Sequence, residues 1–289
     1  DPGVGAALRA ELLPLRGGIG RRRRRWWRAA ALLLLHAGLP RPVGALAMGK
    51  MLKQRRWTLA NQKGGTGKST MVACLAHAAF REGNRVLVVD ADPQGTCSSA
   101  ALRMRQSNRR ASHLPEDLPG SGPALLVLGA LDASLVLAWQ DSGGGVHNVA
   151  LEEMVGRFSP DLVLFDPPGR LDDTHRAVVL ASDLAILVTA QGQPDRDALL
   201  ASVDLLRELQ GQRPSLHIWA LLNKFRAGTH SAVEAETAVR EAGVPLLKSR
   251  VGNRTAFEEA FSARLRGRAP GGAAGRDVAA LFQELRGIR

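Results

Sequence analysis

The stretch Asn61-Gln62-Lys63-Gly64-Gly65-Thr66-Gly67-Lys68-Ser69-Thr70 decides the fold of this 289-residue chain. It follows a short apolar run, Trp57-Thr58-Leu59-Ala60, and opens a helical stretch from about Ser69 to Glu82. Strand, glycine-rich turn and helix in that order form the context of a phosphate-binding loop. Gly64, Gly65 and Gly67 let the backbone approach phosphate oxygens and turn successive N–H groups toward them. The N-terminus of the following helix adds its partial positive charge. Lys68 is expected to bridge the β- and γ-phosphates, Ser69 to ligate magnesium through its hydroxyl, and Thr70 to face the α-phosphate. Thr66 completes the cradle. ATP and Mg²⁺ are therefore the expected cofactors. The loop departs from the common G-x-x-x-x-G-K-[ST] form, because Gln62 replaces the first glycine and Lys63 adds a second lysine.

Beyond residue 51, short apolar runs alternate with helical stretches. Strands are predicted at Arg85 to Asp90, Pro123 to Leu128, Leu162 to Asp166, Leu184 to Thr189 and Ile218 to Leu222. Helices are predicted over 195–210, 231–242 and Arg276 to Arg286, and Gly83-Asn84 reads as the stop of the first one. The stretches 103–122, 142–145 and 267–275 read as connections. This alternation implies an α/β fold, a doubly wound and mainly parallel sheet flanked by helices. No internal repeat is present, and 51–289 reads as one P-loop domain.

Two carboxylate motifs lie at strand ends. Arg85 to Asp90 runs into Asp90-Ala91-Asp92-Pro93-Gln94-Gly95, and Leu162 to Asp166 into Pro167-Pro168-Gly169-Arg170. An aspartate closing a buried apolar strand is the expected partner of the phosphate loop, so Asp166 is assigned to hold Mg²⁺ through water. Ligands of doubly wound folds gather at the carboxyl ends of parallel strands, where all these residues fall.

The loop with its extra lysine closely resembles the deviant Walker A box of the ParA/MinD family of partitioning and positioning ATPases. That resemblance implies that Lys63 reaches across an ATP-dependent homodimer to the partner's nucleotide. It implies that Asp92 orients the attacking water and that Asp90 supports the magnesium shell. Leu221-Leu222-Asn223-Lys224 resembles the segment whose asparagine contacts adenine. Arg250, Arg254 and Glu258-Glu259-Ala260 resemble a late segment whose basic residues contact DNA without sequence preference. The implied partners are nonspecific DNA and a ParB-like centromere-binding protein, in the cytoplasm and associated with the nucleoid. Gln94-Gly95, and the lack of a helix-turn-helix pattern ahead of residue 51, favour the short partition branch. A MinD-like positioning ATPase and a cobyrinate- or biotin-type amidoligase are the alternatives. The closing stripe Val278, Leu281, Phe282 and Leu285 reads as core packing, so no stable membrane insertion is expected.

The net charge of +12 suggests a nucleic-acid binder, but its distribution weakens that reading. Residues 1–50 hold ten Lys/Arg and two acids, or +8, which leaves +4 for the other 239. The first fifty residues join an arginine run, the apolar Ala29 to Leu35 and an Ala45-Leu46-Ala47 end, an export-like pattern. The need for ATP opposes export. Residues 1–50 are expected to be a disordered or non-native extension ahead of a start at Met48 or Met51, with at best a short helix over 26–37. Two cysteines, Cys74 and Cys97, give neither a disulfide framework nor a metal pattern.

Overall fold

The chain divides into two units, Asp1–Met51 and Leu52–Arg289. The computed structural model describes residues 54–100, 124–128, 139–140, 146–147, 149–191, 196–261 and 270–288. The expectations for residues 1–50, 103–122 and 142–145 lie outside the described residues.

In chain order the elements are β1 (Arg55–Ala60), α1 (Lys68–Arg81), β2 (Arg85–Asp90), β3 (Ala124–Leu128), β4 (Trp139–Gln140) and β5 (Val146–His147). Then come α2 (Val149–Phe158), β6 (Leu162–Asp166), α3 (Asp173–Leu180), β7 (Leu184–Ala190) and α4 (Arg196–Gln212). The last are β8 (His217–Phe225), α5 (His230–Glu241), β9 (Leu246–Gly252), α6 (Thr255–Phe261) and α7 (Gly272–Gly287). Seven strands form one parallel sheet in the order β3-β2-β6-β1-β7-β8-β9, and β4 pairs with β5 apart from it. The doubly wound reading is borne out.

Alternation along each central strand divides the core between the two faces of the sheet. Leu59, Val86, Val88, Leu164 and Ile186 pack against Met71 and Leu75 of α1 and against Val278, Leu281 and Phe282 of α7. On the other face Leu187 and Leu222 meet α4 and α5, while Val89, Val163 and Phe165 meet α2 and α3. Strands covered on both sides must be apolar throughout, which is why β2 and β6 are buried at every position.

The first helix stops at its expected signal. Gly83 adopts φ 91°, and the N–H groups of Gly83 and Asn84 return to the carbonyls of Phe80 and Ala79. Two readings change. The closing helix begins at Gly272, inside the stretch expected to be a connection, because Ala274 is buried there and its packing offsets the cost of the neighbouring glycines; the first part of that stretch, 267–269, lies outside the described residues. β9 has no counterpart in the sequence reading. It is an edge strand on which Leu247 and Val251 are buried while Lys248 and Arg250 interrupt the apolar run.

Candidate functional site

The glycine-rich loop is pinned at both ends by residues remote in sequence. At its start Asn61 donates through Nδ2 to the Val188 carbonyl at 2.7 Å and accepts from the Lys63 N–H at 2.8 Å. The Gln62 N–H reaches Ser202 Oγ of α4 at 3.1 Å. At its far end Asn223 Nδ2 donates to the Thr66 carbonyl at 2.7 Å. Gly67 is left-handed with φ 94°, and a Cβ there would collide with the Asn223 amide. Asn223, assigned to adenine by resemblance, thus has an amide N–H committed to the loop backbone. Ser202 lies too far along the chain for any sequence signal, and Asn61 stands ahead of the glycines, where the motif's spacing assigns it no contact.

Helix α1 starts on Gly67 with no side-chain cap and no acid in its first turn. The N–H groups of its first turn are left to an external acceptor, and the helix end favours an anion. Lys68 is buried at that end, with Nζ 3.3 Å from the Lys63 carbonyl. Burial pushes its pKa down, while Asp166 and Asp92 pull it back up. Ser69 and Thr70 follow, half-buried. Lys63 is exposed, and among the described residues its ammonium has no carboxylate partner.

The strand register sets Asp90 beside Asp166 at the carboxyl ends of β2 and β6. Both are fully buried, yet their surroundings differ. Asp90 accepts the Asp92 N–H at 3.2 Å and the Ser98 N–H at 2.7 Å, one on each oxygen. It therefore holds the turn that carries Asp92, which is half-buried and accepts from the Gln94 N–H at 2.9 Å. Asp166 has no hydrogen bond to either oxygen. Burial raises its pKa to about 8, and the Ser69 hydroxyl opposes that rise from a geometry short of a full hydrogen bond. A buried carboxylate left without a donor fits a cation shared with Ser69, since burying such a group uncompensated is costly. Among the described residues no cluster of three His, Cys, Asp or Glu could hold a metal alone.

The Pro167-Pro168-Gly169-Arg170 turn folds over the loop: a Cβ on Gly169 would lie 3.8 Å from the Gln62 carbonyl and 3.9 Å from Lys68 Nζ. His175, which sequence reasoning passed over, is buried beneath that turn. The two arginines assigned to DNA stand elsewhere. Arg250 on β9 pairs with Glu236 at 2.9 Å and lies over the Phe225 ring. Arg254 pairs with Asp277 of α7 at 2.8 Å.

With this geometry in place, comparison with known proteins is decisive. Residues 57–265 match the CobQ/CobB/MinD/ParA nucleotide binding domain. The chain belongs to this family. Among its relatives, the chromosome-partitioning ATPase Soj of Thermus thermophilus is 35% identical over 197 residues, 65% of this chain and 76% of Soj. The maintenance of carboxysome distribution protein A of Gloeobacter kilaueensis is 32% identical over 69% of this chain and 77% of its own. Solved family structures confirm the fold. The septum site-determining protein MinD of Pyrococcus horikoshii, complexed with Mg-ADP, superposes with TM-score 0.58 at 20% identity, over 80% of this chain and 96% of its own. Cobyrinic acid a,c-diamide synthase of Mycobacterium smegmatis gives 0.57 at 19%, over 81% and 94%.

Proposed function

We propose that this chain is a partition-type ATPase that binds and hydrolyses MgATP, dimerises on ATP and acts on DNA as a dimer. The observation that carries this reading is Lys63. Its backbone is fixed by Asn61, its ammonium is exposed, and no carboxylate of the described residues neutralises it. An ordinary phosphate loop has no use for such a cation, whereas a second copy could offer it a γ-phosphate. The likeness to Soj over most of both chains supports the partition branch. The amidoligase alternative shares the family match and the fold, but its solved structure is only 19% identical, against 35% for Soj.

Each residue then has a task. The loop from Gly64 to Thr70 and the end of α1 bind the phosphates, and Lys68 bridges the β- and γ-groups. Ser69 and Asp166 hold magnesium, which supplies charge neutralisation across the phosphates. Asp92 orients the attacking water. Asp90 shapes the turn that presents Asp92 and supports the magnesium shell through it. Asn223 braces the loop beside the base. Arg250 and Arg254 contact DNA by sharing or releasing Glu236 and Asp277. Work of this kind belongs in the cytoplasm at the nucleoid, with a ParB-like centromere-binding protein as the stimulating partner. Among the described residues no helix is long and apolar enough to cross a membrane.

The test is ATP turnover and DNA binding, with and without nonspecific duplex, at two salt concentrations. ATP-dependent binding that weakens steeply with salt is expected. Absence of DNA binding at low salt with ATP present would remove the partition reading and leave the ATPase reading standing.

A further inference from the structure

His175 is a buried titratable group to which the roles above give no task. It sits in the first turn of α3, 1% exposed, and its backbone N–H is capped by Asp172 Oδ1 at 3.0 Å. Its ring Nδ1 lies 3.1 Å from the Pro168 carbonyl oxygen. A carbonyl oxygen only accepts, so Nδ1 carries the proton. Burial is the main force lowering the ring's pKa, and the Lys68 ammonium adds to it, which favours the neutral ring with its hydrogen on Nδ1. The one ring N–H is thereby spent on the Pro168 carbonyl, so His175 braces the turn at that point.

What that brace controls follows from the peptide unit. Pro167 and Pro168 have no N–H, so the first backbone donor after Asp166 belongs to Gly169. Among the described residues no peptide is cis, and in a planar trans unit the C=O and the N–H point in opposite directions. Fixing the Pro168 oxygen therefore fixes the direction of the Gly169 N–H. That N–H has no acceptor among the described residues, and Gly169 lies against Gln62 and Lys68.

We propose that His175 is a positioning residue for hydrolysis: it clamps the Pro168–Gly169 peptide and so directs the Gly169 N–H to an oxygen of the transferred phosphate. This inference rests on the ATPase reading. A histidine that merely fills the core would support folding without setting the rate.

The experiment compares the full chain with His175→Leu and His175→Asn, the latter offering an amide N–H close to where Nδ1 stands. It reads kcat, KM, the melting temperature, and amide hydrogen exchange of a peptide spanning 165–172. His175→Leu is expected to lower kcat by about tenfold or more while KM stays within about twofold, and to speed exchange in the peptide. His175→Asn is expected to recover both. The proposal is overturned if both variants keep the wild-type kcat, or if both lose it in step with the melting temperature. A wild-type chain without turnover sinks the ATPase reading instead, and the exchange comparison, which needs no turnover, still decides whether His175 holds the turn.

Discussion

Asp166 concentrates the tension of the site in one side chain. Its carboxyl is fully buried without a hydrogen bond, and its pKa is raised from the ordinary 3.8 to about 8. The folded pKa lies above the unfolded one. Between those two values the unfolded chain gives up the proton first, so the stability contributed by this group falls as pH rises through the window. Asp166→Asn should therefore stabilise the nucleotide-free protein at pH 8, by about 1–3 kcal/mol, and by clearly less at pH 5. Thermal melts at the two pH values without magnesium check this; equal shifts at both would contradict the buried, unpaired carboxylate. On the proposed reading, in which Asp166 also holds magnesium, turnover should be lost with the substitution at either pH.

At the scale of elements, the loop and β8 are locked together through Gly67 and Asn223. Gly67→Ala adds a left-handed strain and a collision with the Asn223 amide. Strain of that kind costs about 1–2 kcal/mol, and the collision adds to it. In an Asn223→Ala background the collision disappears, so Gly67→Ala should cost less there, with a coupling of about 0.5–3 kcal/mol. Denaturant titration of the four proteins gives the answer, and strict additivity would mean that the loop relaxes away from β8. The closing helix makes a simpler case. Phe282 is buried against Trp57, ring centroids 5.9 Å apart, so Phe282→Ala should cost about 3–5 kcal/mol. A cost near zero in the same titration would show that α7 does not close this face of the core in solution.

At the scale of the whole molecule, the two lysines of the loop should separate. Lys68→Ala removes a buried cation from the end of α1 and should abolish nucleotide binding. Lys63→Ala removes an exposed one and should leave binding within about threefold, while ATP-dependent dimerisation or hydrolysis falls by about tenfold or more. Equilibrium binding of a fluorescent ATP analogue, beside sedimentation with ATP, distinguishes the two. Equal loss of binding from both substitutions would refute the separate roles.

The chain's own sequence determined the parallel architecture, the glycine-rich loop and the strand-end carboxylates. Each is a local pattern: a continuous apolar run forces burial on both faces, glycines at fixed spacing permit a left-handed turn, and Asp90 and Asp166 stand where such runs end. The sequence was silent where burial is shared between distant segments. β9 carries too few apolar residues to declare itself, and α7 takes in glycines because Ala274 is covered by residues remote in the chain. Only the tertiary structure brought Asn61, Ser202 and Asn223 onto one loop and left Asp166 unpaired beside a satisfied Asp90. It alone placed His175 beneath the Pro168–Gly169 peptide. The hydrogen bonds of Asn61, Ser202 and Asn223 span more than a hundred residues and leave no periodicity to read, while the burial of Asp166 and His175 depends on elements packed over them, so those assignments had to wait for the folded chain.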